Sequence, residues 1–406
     1  MADIVIAGGG LTGVMMATTL SFTPYEILHI DFKDKSRPAD SIRTTTINAA
    51  GQRMLDALGV WDRLDGQATP IRQLRVTEGP APSGLAARRK RAGLGWRTDD
   101  APMAYVVRND KLMQALEMTR AARGVVPLES QRVTGFKKSD GGACITTETT
   151  TGKNAEIECQ LAVACDGRNS IIAKTAGIKR RELPTGQTAI VAILTAERPH
   201  ENTAFQRFLP GGPIALMPMG THHLSLVWSL PNEEAERLKS VDDADFNEAC
   251  NRAVGNEFGF LTLQSDRLVW PLRPEIVSRP AAPNLIIAGD AAHPIHPLAG
   301  QGYNLALGDA AVLCDRLCEA HDRGLPAGHV SVTSGYVAGR RPEIMAMTLA
   351  TSGLNAVFSK MPTALGRMAG IGMSFLDRAP VKSIFADIAQ GGRLCKASLL
   401  DGKLPR

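Results

Sequence analysis

The stretch "DIVIAGGGLTGVMMATTL" (Asp3 to Leu20) constrains the fold more than any other part of the chain. An apolar run short enough for a buried strand passes without a linker into glycines and then into a helical pattern. Gly8, Gly10 and Gly13 satisfy G-x-G-x-x-G: the first permits a tight turn, the second lets backbone approach a pyrophosphate, and the third lets helix and strand pack closely. Downstream, "YEILHIDF" predicts a second strand ending in Asp31, about eighteen residues past Gly13, where a carboxylate can bind ribose hydroxyls. Strand, turn, helix, strand and acid make a dinucleotide-binding βαβ unit.

No second G-x-G-x-x-G follows, so one dinucleotide has a dedicated fold. The stretch "PNLIIAGDAAHPIHPLAGQGYNLALGDA" bears on which one. Its first half is another buried strand delivering Gly289 and Asp290, and a carboxylate there can accept hydrogen bonds from a ribityl chain. NAD has no ribityl chain, so FAD is the expected cofactor. Its second half starts a helix at glycines, leaving backbone N–H groups free to stabilise the anion of a reduced isoalloxazine. His293 and His296 stand beside prolines with no third ligand nearby, so they are read as fixing the loop and no metal is expected. No nucleophile elbow accompanies them, which argues against a hydrolase.

The 406 residues, 44% hydrophobic and 21% charged, suit two or three globular domains. A net charge of +5 is too diffuse for nucleic acid, and the one basic run, "ARRKR" (Ala87 to Arg91), is read as a solvated loop. Seven irregularly spaced cysteines make no disulfide framework, and Cys314 and Cys318 lack the second pair of a zinc site. A reducing, cytoplasmic setting follows. No apolar run spans a bilayer, and a first strand at Asp3 leaves no room for a cleavable signal. The protein is expected to be soluble or peripheral. In the middle, "TAIVAILTAE", "AFQRFL", "IALMPM" and "HLSLVWSL" predict a mostly antiparallel sheet, to which "RQLRVTEG" and the segment to Trp96 add strands. The expected division is a discontinuous nucleotide domain over 1–70, 102–178 and 280–342, a β-sheet substrate domain over 71–101 and 179–279, and a helical, methionine-rich segment over 343–406.

"GDAAHPIHPLAGQGYNL" resembles the second FAD motif of the single-component aromatic hydroxylase flavoproteins, the group that includes para-hydroxybenzoate hydroxylase. The resemblance implies that Asp290 contacts the flavin ribityl and pyrophosphate. It places the turn of Pro297, Gly300, Gln301 and Gly302 against the isoalloxazine, with Asn304 just inside the helix. "LAVACDGRNSIIAKTAGI" is similar to a third motif, giving Asp166 and Gly167 a part in FAD binding, although Ala173 and Lys174 stand where many relatives carry an arginine. Arg43 matches an arginine near the start of the second helix that reaches toward the flavin.

The middle and tail, including "AFQRFLPGGPIALMPM" and "FSKMPTALGRMAGIGMSFLDRAPVKSIFADIAQGG", look like the ubiquinone-biosynthesis hydroxylases, with Arg108-Asn109 where that branch commonly has Glu-Asn. This implies an α/β fold of para-hydroxybenzoate hydroxylase type: a Rossmann-like FAD domain, an inserted antiparallel substrate domain and C-terminal helices. The implied activity is a monooxygenase that hydroxylates the ring of a polyprenylated phenol with dioxygen, through a flavin C4a-hydroperoxide, with NAD(P)H as a transient reductant. Backbone near Pro297, Gly300 and Gly302, rather than a side-chain catalyst, is expected to steady the flavin. The alternatives are a hydroxylase of a small soluble aromatic acid, which calls for a fixed cation such as Arg207 or Arg108, and an assembly or lipid-presenting component with little turnover. A polyprenyl substrate further implies a membrane surface, other proteins of the pathway, and peripheral attachment to the inner membrane. The segment from Glu343 to Gly392, with Met345, Met347, Met361, Met368 and Met373 and the cations Lys360, Arg367, Arg378 and Lys382, suits that role by composition.

Overall fold

The chain opens with β1 (Ala2–Ala7), α1 (Leu11–Leu20) and β2 (Ile27–Asp31), the two strands parallel with Ile4 opposite Ile27. β3 (Thr44–Asn48), α2 (Ala49–Ala57), β4 (Ala68–Ile71), β5 (Gln73–Glu78), β6 (Leu94–Arg97), β7 (Ala104–Arg108), α3 (Asn109–Ala122) and β8 (Pro127–Glu129) follow. Next come β9 (Gln131–Ser139), β10 (Gly142–Thr149), β11 (Asn154–Ala164), α4 (Ile171–Thr175) and β12 (Arg180–Glu182). These are given by a computed structural model, which describes residues 2–32, 42–79, 94–129, 131–296, 300–360 and 394–405. Five strands pair in parallel around β1, in the order β21-β11-β1-β2-β8, where β21 (Leu285–Ile287) arrives late in the chain. Ile4, Val5 and Ile6 are fully buried because helices cover one face and the β9–β10 hairpin with α4 the other. That is why this strand reads as a continuous apolar run instead of an alternating one.

β13 (Gln187–Ala196), β14 (Thr203–Leu209), β15 (Gly212–Met219) and β16 (His223–Pro231) form the middle of a second sheet. α5 (Asn232–Ser240) and α6 (Asp243–Val254) cover one of its faces, packing on Ile190, Leu216, Leu226 and Trp228. β17 (Leu261–Leu263) and β18 (Leu268–Leu272) pair with β13, and β5 and β6 extend the far edge, with β5 parallel to β14. The early segment therefore joins the late sheet. β19 (Glu275–Val277) pairs with β12, and β20 (Ala281–Ala282) leads into β21. The other face of this sheet meets a small sheet of β3, β7 and β4 from the nucleotide domain, through Ile71, Val106, Ala204 and Met217.

α7 (Gly302–Asp322) and α8 (Val330–Lys360) close the first domain. The sequence pattern turns helical and methionine-rich from about Arg341 onward. In the structure α8 already starts at Val330 and runs through Pro342, held by Tyr336 and Arg340, both completely buried. Residues 394–405 return to the nucleotide domain: Cys395, Ala397, Leu399 and Leu400 share a core with α1 and α7, and the Arg53 Nε donates to the Leu400 carbonyl (3.0 Å). The basic run Ala87 to Arg91, and Met361, Arg367, Met368, Met373, Arg378 and Lys382 of the methionine-rich segment, lie outside the described residues. Among the described residues no helix is long and apolar enough to cross a membrane.

Because Leu399 is fully buried in that core, Leu399→Ala is expected to cost about 2–5 kcal/mol. Urea denaturation should show a lower midpoint with unchanged slope; an unaltered midpoint would mean that the C-terminal turn does not contribute to the domain.

Candidate functional site

The carboxyl ends of β1, β2, β11 and β21 lie together, and a crevice there is where a doubly wound sheet takes its ligand. Gly8 adopts φ +135°, and a Cβ on it would overlap the Cys165 carbonyl; a Cβ on Gly13 would overlap the Gly8 carbonyl. The turn can therefore only be built from glycine. Gly10 is the N-cap of α1, no side chain caps it, and a Cβ there would meet nothing within 4 Å. Asp31 ends β2, 1% exposed, lying over Gly9 where any Cβ would overlap its Oδ1. Gly9, an unspecified position in the motif, is thus as constrained as its neighbours.

Asp166 and Gly167 follow β11. The Asp166 Oδ2 accepts from the Ile172 N–H (3.2 Å), its Oδ1 is buried without a protein partner among the described residues, and burial raises its carboxyl above the ordinary range. After β21, Gly289 packs against Thr12 of α1, and Asp290 stands exposed in a 3-10 turn. Pro297 lies outside the described residues. Gly300 (φ +65°) packs on Thr46, Gln301 is the N-cap of α7 and Gly302 its first residue. Asn304 is buried and clamps β3: its Oδ1 accepts from the Asn48 N–H (3.0 Å) and its Nδ2 donates to the Thr46 carbonyl (2.9 Å). Arg43 heads β3 rather than a helix, exposed, with its guanidinium 5.3 Å from the Trp270 ring centroid.

Two buried constructions behind the crevice are not anticipated from sequence. In the first, Asp309 of α7, fully buried, accepts at Oδ2 from the Gly289 N–H (2.9 Å) and the His293 Nε2 (2.6 Å), and at Oδ1 from the Arg340 Nε (2.7 Å). Arg340 also pairs with Glu343 and donates to the Leu305 carbonyl (2.8 Å), while the Tyr336 hydroxyl donates to the Ile287 carbonyl (3.1 Å). Burial alone would push the Asp309 carboxyl up, but His293 and the Arg340 guanidinium outweigh it and hold it below the ordinary range. The available signal was an aspartate inside an apolar helical run. In the second, the Arg120 Nη1 donates to the His29 Nδ1 (2.7 Å), which leaves Nε2 as the protonated nitrogen, donating to the Gly8 carbonyl (2.9 Å). A neutral imidazole thereby holds the first glycine of the turn.

Toward the second sheet, the Thr44 hydroxyl donates to the Ser225 Oγ (2.8 Å) across the domain seam. Strand alternation puts Val191, Val227, Ala215, Met217 and Gln206 on the same face as Ser225, and all are neutral. Arg207 points the other way, donating to the Thr77 hydroxyl and to the Ala253 and Val254 carbonyls, and Arg108 forms a two-pronged pair with Asp110. Arg207 is thus turned away from the seam, whereas Arg108 stands opposite Thr44 on the seam-facing side of β7 with its guanidinium already paired to Asp110.

Fold and crevice define a dinucleotide-binding α/β protein with a second, mostly antiparallel sheet packed against the nucleotide domain. The chain belongs to the FAD binding domain family, which it matches over residues 1–348. It is 34% identical over 399 residues to the ubiquinone hydroxylase UbiL of Rhodospirillum rubrum, spanning 96% of this chain and 90% of that one. It is 29% identical over 415 residues to the mitochondrial ubiquinone biosynthesis monooxygenase COQ6 of Mus musculus, spanning 89% and 85%. Among solved structures it is similar to the p-nitrophenol 4-monooxygenase PnpA of Pseudomonas putida (TM-score 0.76, 15% identity, 97% and 99% of the two chains). PqsL of P. aeruginosa, solved with 2-aminobenzoylacetate, gives a TM-score of 0.75 at 21% identity over 92% and 99%. The residues fit FAD: open space at Gly10, an unpartnered buried Asp166 oxygen and an exposed Asp290 surround one crevice.

Breaking a buried ion pair on one side strands the other charge, so Asp309→Asn is expected to cost about 3–5 kcal/mol. Chemical denaturation with flavin release followed in parallel measures it, and a change below 1 kcal/mol would remove Asp309 from its supporting role. His296, 1% exposed, has neither ring nitrogen partnered among the described residues, and burial lowers its pKa from 6.5 to about 4. The unfolded chain takes up this proton first, so stability is full above pH 6.5 and falls toward pH 4, by on the order of 3 kcal/mol. In His296→Phe that part of the slope should vanish from unfolding free energies measured across the window.

Proposed function

We propose that the protein is an FAD-dependent monooxygenase that hydroxylates the aromatic ring of a polyprenylated phenol in ubiquinone biosynthesis. The observation that carries this reading is the neutral, apolar character of the residues of the second sheet that face the seam, together with the turning of Arg207 to the opposite face and the neutralisation of Arg108 by Asp110. A small aromatic acid needs a fixed cation; an uncharged phenol with an apolar tail does not.

Gly8, Gly10 and Gly13 bring backbone against the pyrophosphate at the head of α1, where a helix N-terminus favours negative charge. Asp31 takes ribose hydroxyls, and Asp290 takes the ribityl chain, with Asp166 and Gly167 completing the crevice. The turn of Pro297, Gly300, Gln301 and Gly302 lies against the isoalloxazine, fixed from behind by Asn304, while Arg43 closes the outer side. When bound, FAD supplies the activation of dioxygen, with NAD(P)H as a transient reductant. The chain's own task is to place the phenol carbon and exclude water from the seam. No acid or base among the seam-facing residues is required, because the cofactor carries the chemistry. A substrate with a long apolar tail is delivered from a membrane surface, so peripheral contact with the membrane and with neighbouring pathway proteins belongs to the same reading.

Anaerobic reduction of FAD-loaded protein by NADH or NADPH in the presence of prenylated phenols, followed by oxygen, should yield a product carrying one added oxygen atom by mass spectrometry. Hydrogen peroxide alone with every phenol would overturn the reading. Asp290→Ala should weaken FAD binding by on the order of 1–3 kcal/mol, read from flavin retention on dilution; full retention would remove Asp290 from the site.

A further inference from the structure

The two faces of the second sheet are packed differently. Toward α5 and α6, Ile190, Leu216 and Leu226 are completely buried. On the seam face Val191, Val227 and Ala215 stand in register across three adjoining central strands and are only partly buried. Their row continues from Val191 to Leu268 of β18, which is 40% exposed, and beside it Trp270 is 51% exposed. Central-strand residues between two layers are normally sealed, and contiguous apolar surface left open marks a binding site. The strip crosses three strand spacings, about 14 Å.

Its two ends differ. Past Ala215 the same face is closed by the packing of Ile71, Ala104 and Val106 on Ala204 and Met217. Two residues along β16 from Val227, Ser225 receives the Thr44 hydroxyl, and Thr46, two residues along β3, packs on Gly300 of the cofactor loop. The inner end of the strip therefore adjoins the cofactor loop and carries hydroxyl groups, and the outer end opens at Leu268 and Trp270, with Arg43 holding the Trp270 ring.

We infer that this strip seats the isoprenoid tail of the substrate, with the phenol ring at the Ser225–Thr44 end and the tail leaving past Leu268. The inference rests on the polyprenylated-phenol reading for the nature of the tail. It assigns recognition of the tail to strand residues of the second sheet, and an uncharged hydrocarbon chain is the one occupant that every residue along the strip suits.

The test is titration of FAD-loaded protein with a matched pair of phenols, one long-chain prenylated and one unprenylated, following the flavin absorbance for Kd. Wild-type protein should prefer the prenylated phenol. Leu268→Asp, an exposed edge position that tolerates a polar side chain, should weaken that phenol by on the order of tenfold and leave the unprenylated one within about twofold. Leu268→Met should restore the preference, and Phe260→Asp, an exposed apolar residue off the strip, should leave both phenols unchanged. Equal weakening of both phenols by Leu268→Asp, no weakening of either, or a wild-type protein indifferent to the chain would overturn the inference. Turnover measured on the same samples separates the two claims: chain-dependent binding with peroxide as the only product would sink the hydroxylase reading and leave the tail site standing.

Discussion

The cofactor site depends on one buried carboxylate. Asp309 collects donors from three separated positions, Gly289, His293 and Arg340, so its two oxygens fix where the strand end, the loop and the last long helix lie relative to one another. A buried ion pair contributes little net stability over apolar side chains of the same volume. What it contributes here is geometry: Gly289 and His293, at the end of β21 and the start of the following loop, are anchored from behind by charge-assisted hydrogen bonds with narrow distance limits. The loop itself can then be glycine-rich and lie close to a ligand without choosing its own position.

The glycine turn after β1 is supported by a different device. Arg120 lies 4% exposed beneath it, but the imidazole of His29 stands between the cation and the Gly8 carbonyl. Because Arg120 donates to Nδ1, a second proton has no room on that nitrogen and the ring stays neutral. Gly8 is held on both sides, its carbonyl by the His29 ring and its N–H by the Ile30 carbonyl (3.0 Å). Both supports follow one pattern, with a charged side chain buried behind the crevice and, directly or through an imidazole, a hydrogen bond to the backbone in front of it.

Much of the front layer was legible in the sequence. Gly8 and Gly13 are dictated by the close approach of backbone to backbone, which admits one residue type and so leaves a pattern; the strand before Gly289 is legible because it is buried on both faces and reads as an apolar run. The layer behind leaves no such pattern. Asp309 and Arg340 are thirty-one residues apart, and His29 and Arg120 ninety-one apart; an aspartate in an apolar helix has many possible partners, and only the packing of α7 on α8 selects one. Gly9 was missed because the constraint on it comes from the Asp31 side chain rather than from the local turn. α8 starts at Val330, earlier than the local pattern suggests, because Tyr336 and Arg340 hold that helix to the core by tertiary contacts.

The route of the chain through the two sheets bears on how the protein is made. β1 pairs with β11, β11 pairs with β21, and β5 waits for β14, so strands from the first quarter of the chain find their neighbours only after long intervening stretches have emerged. Such pairings close large loops and slow folding. During synthesis the apolar strand Ile4 to Ala7 has no parallel neighbour on one side until residue 159 and beyond, and the cofactor crevice lacks a wall until β21 is complete. The nascent chain therefore carries this apolar edge exposed until β11 has emerged, and the crevice gains its last wall and the carboxylate behind it only later, with β21 and Asp309.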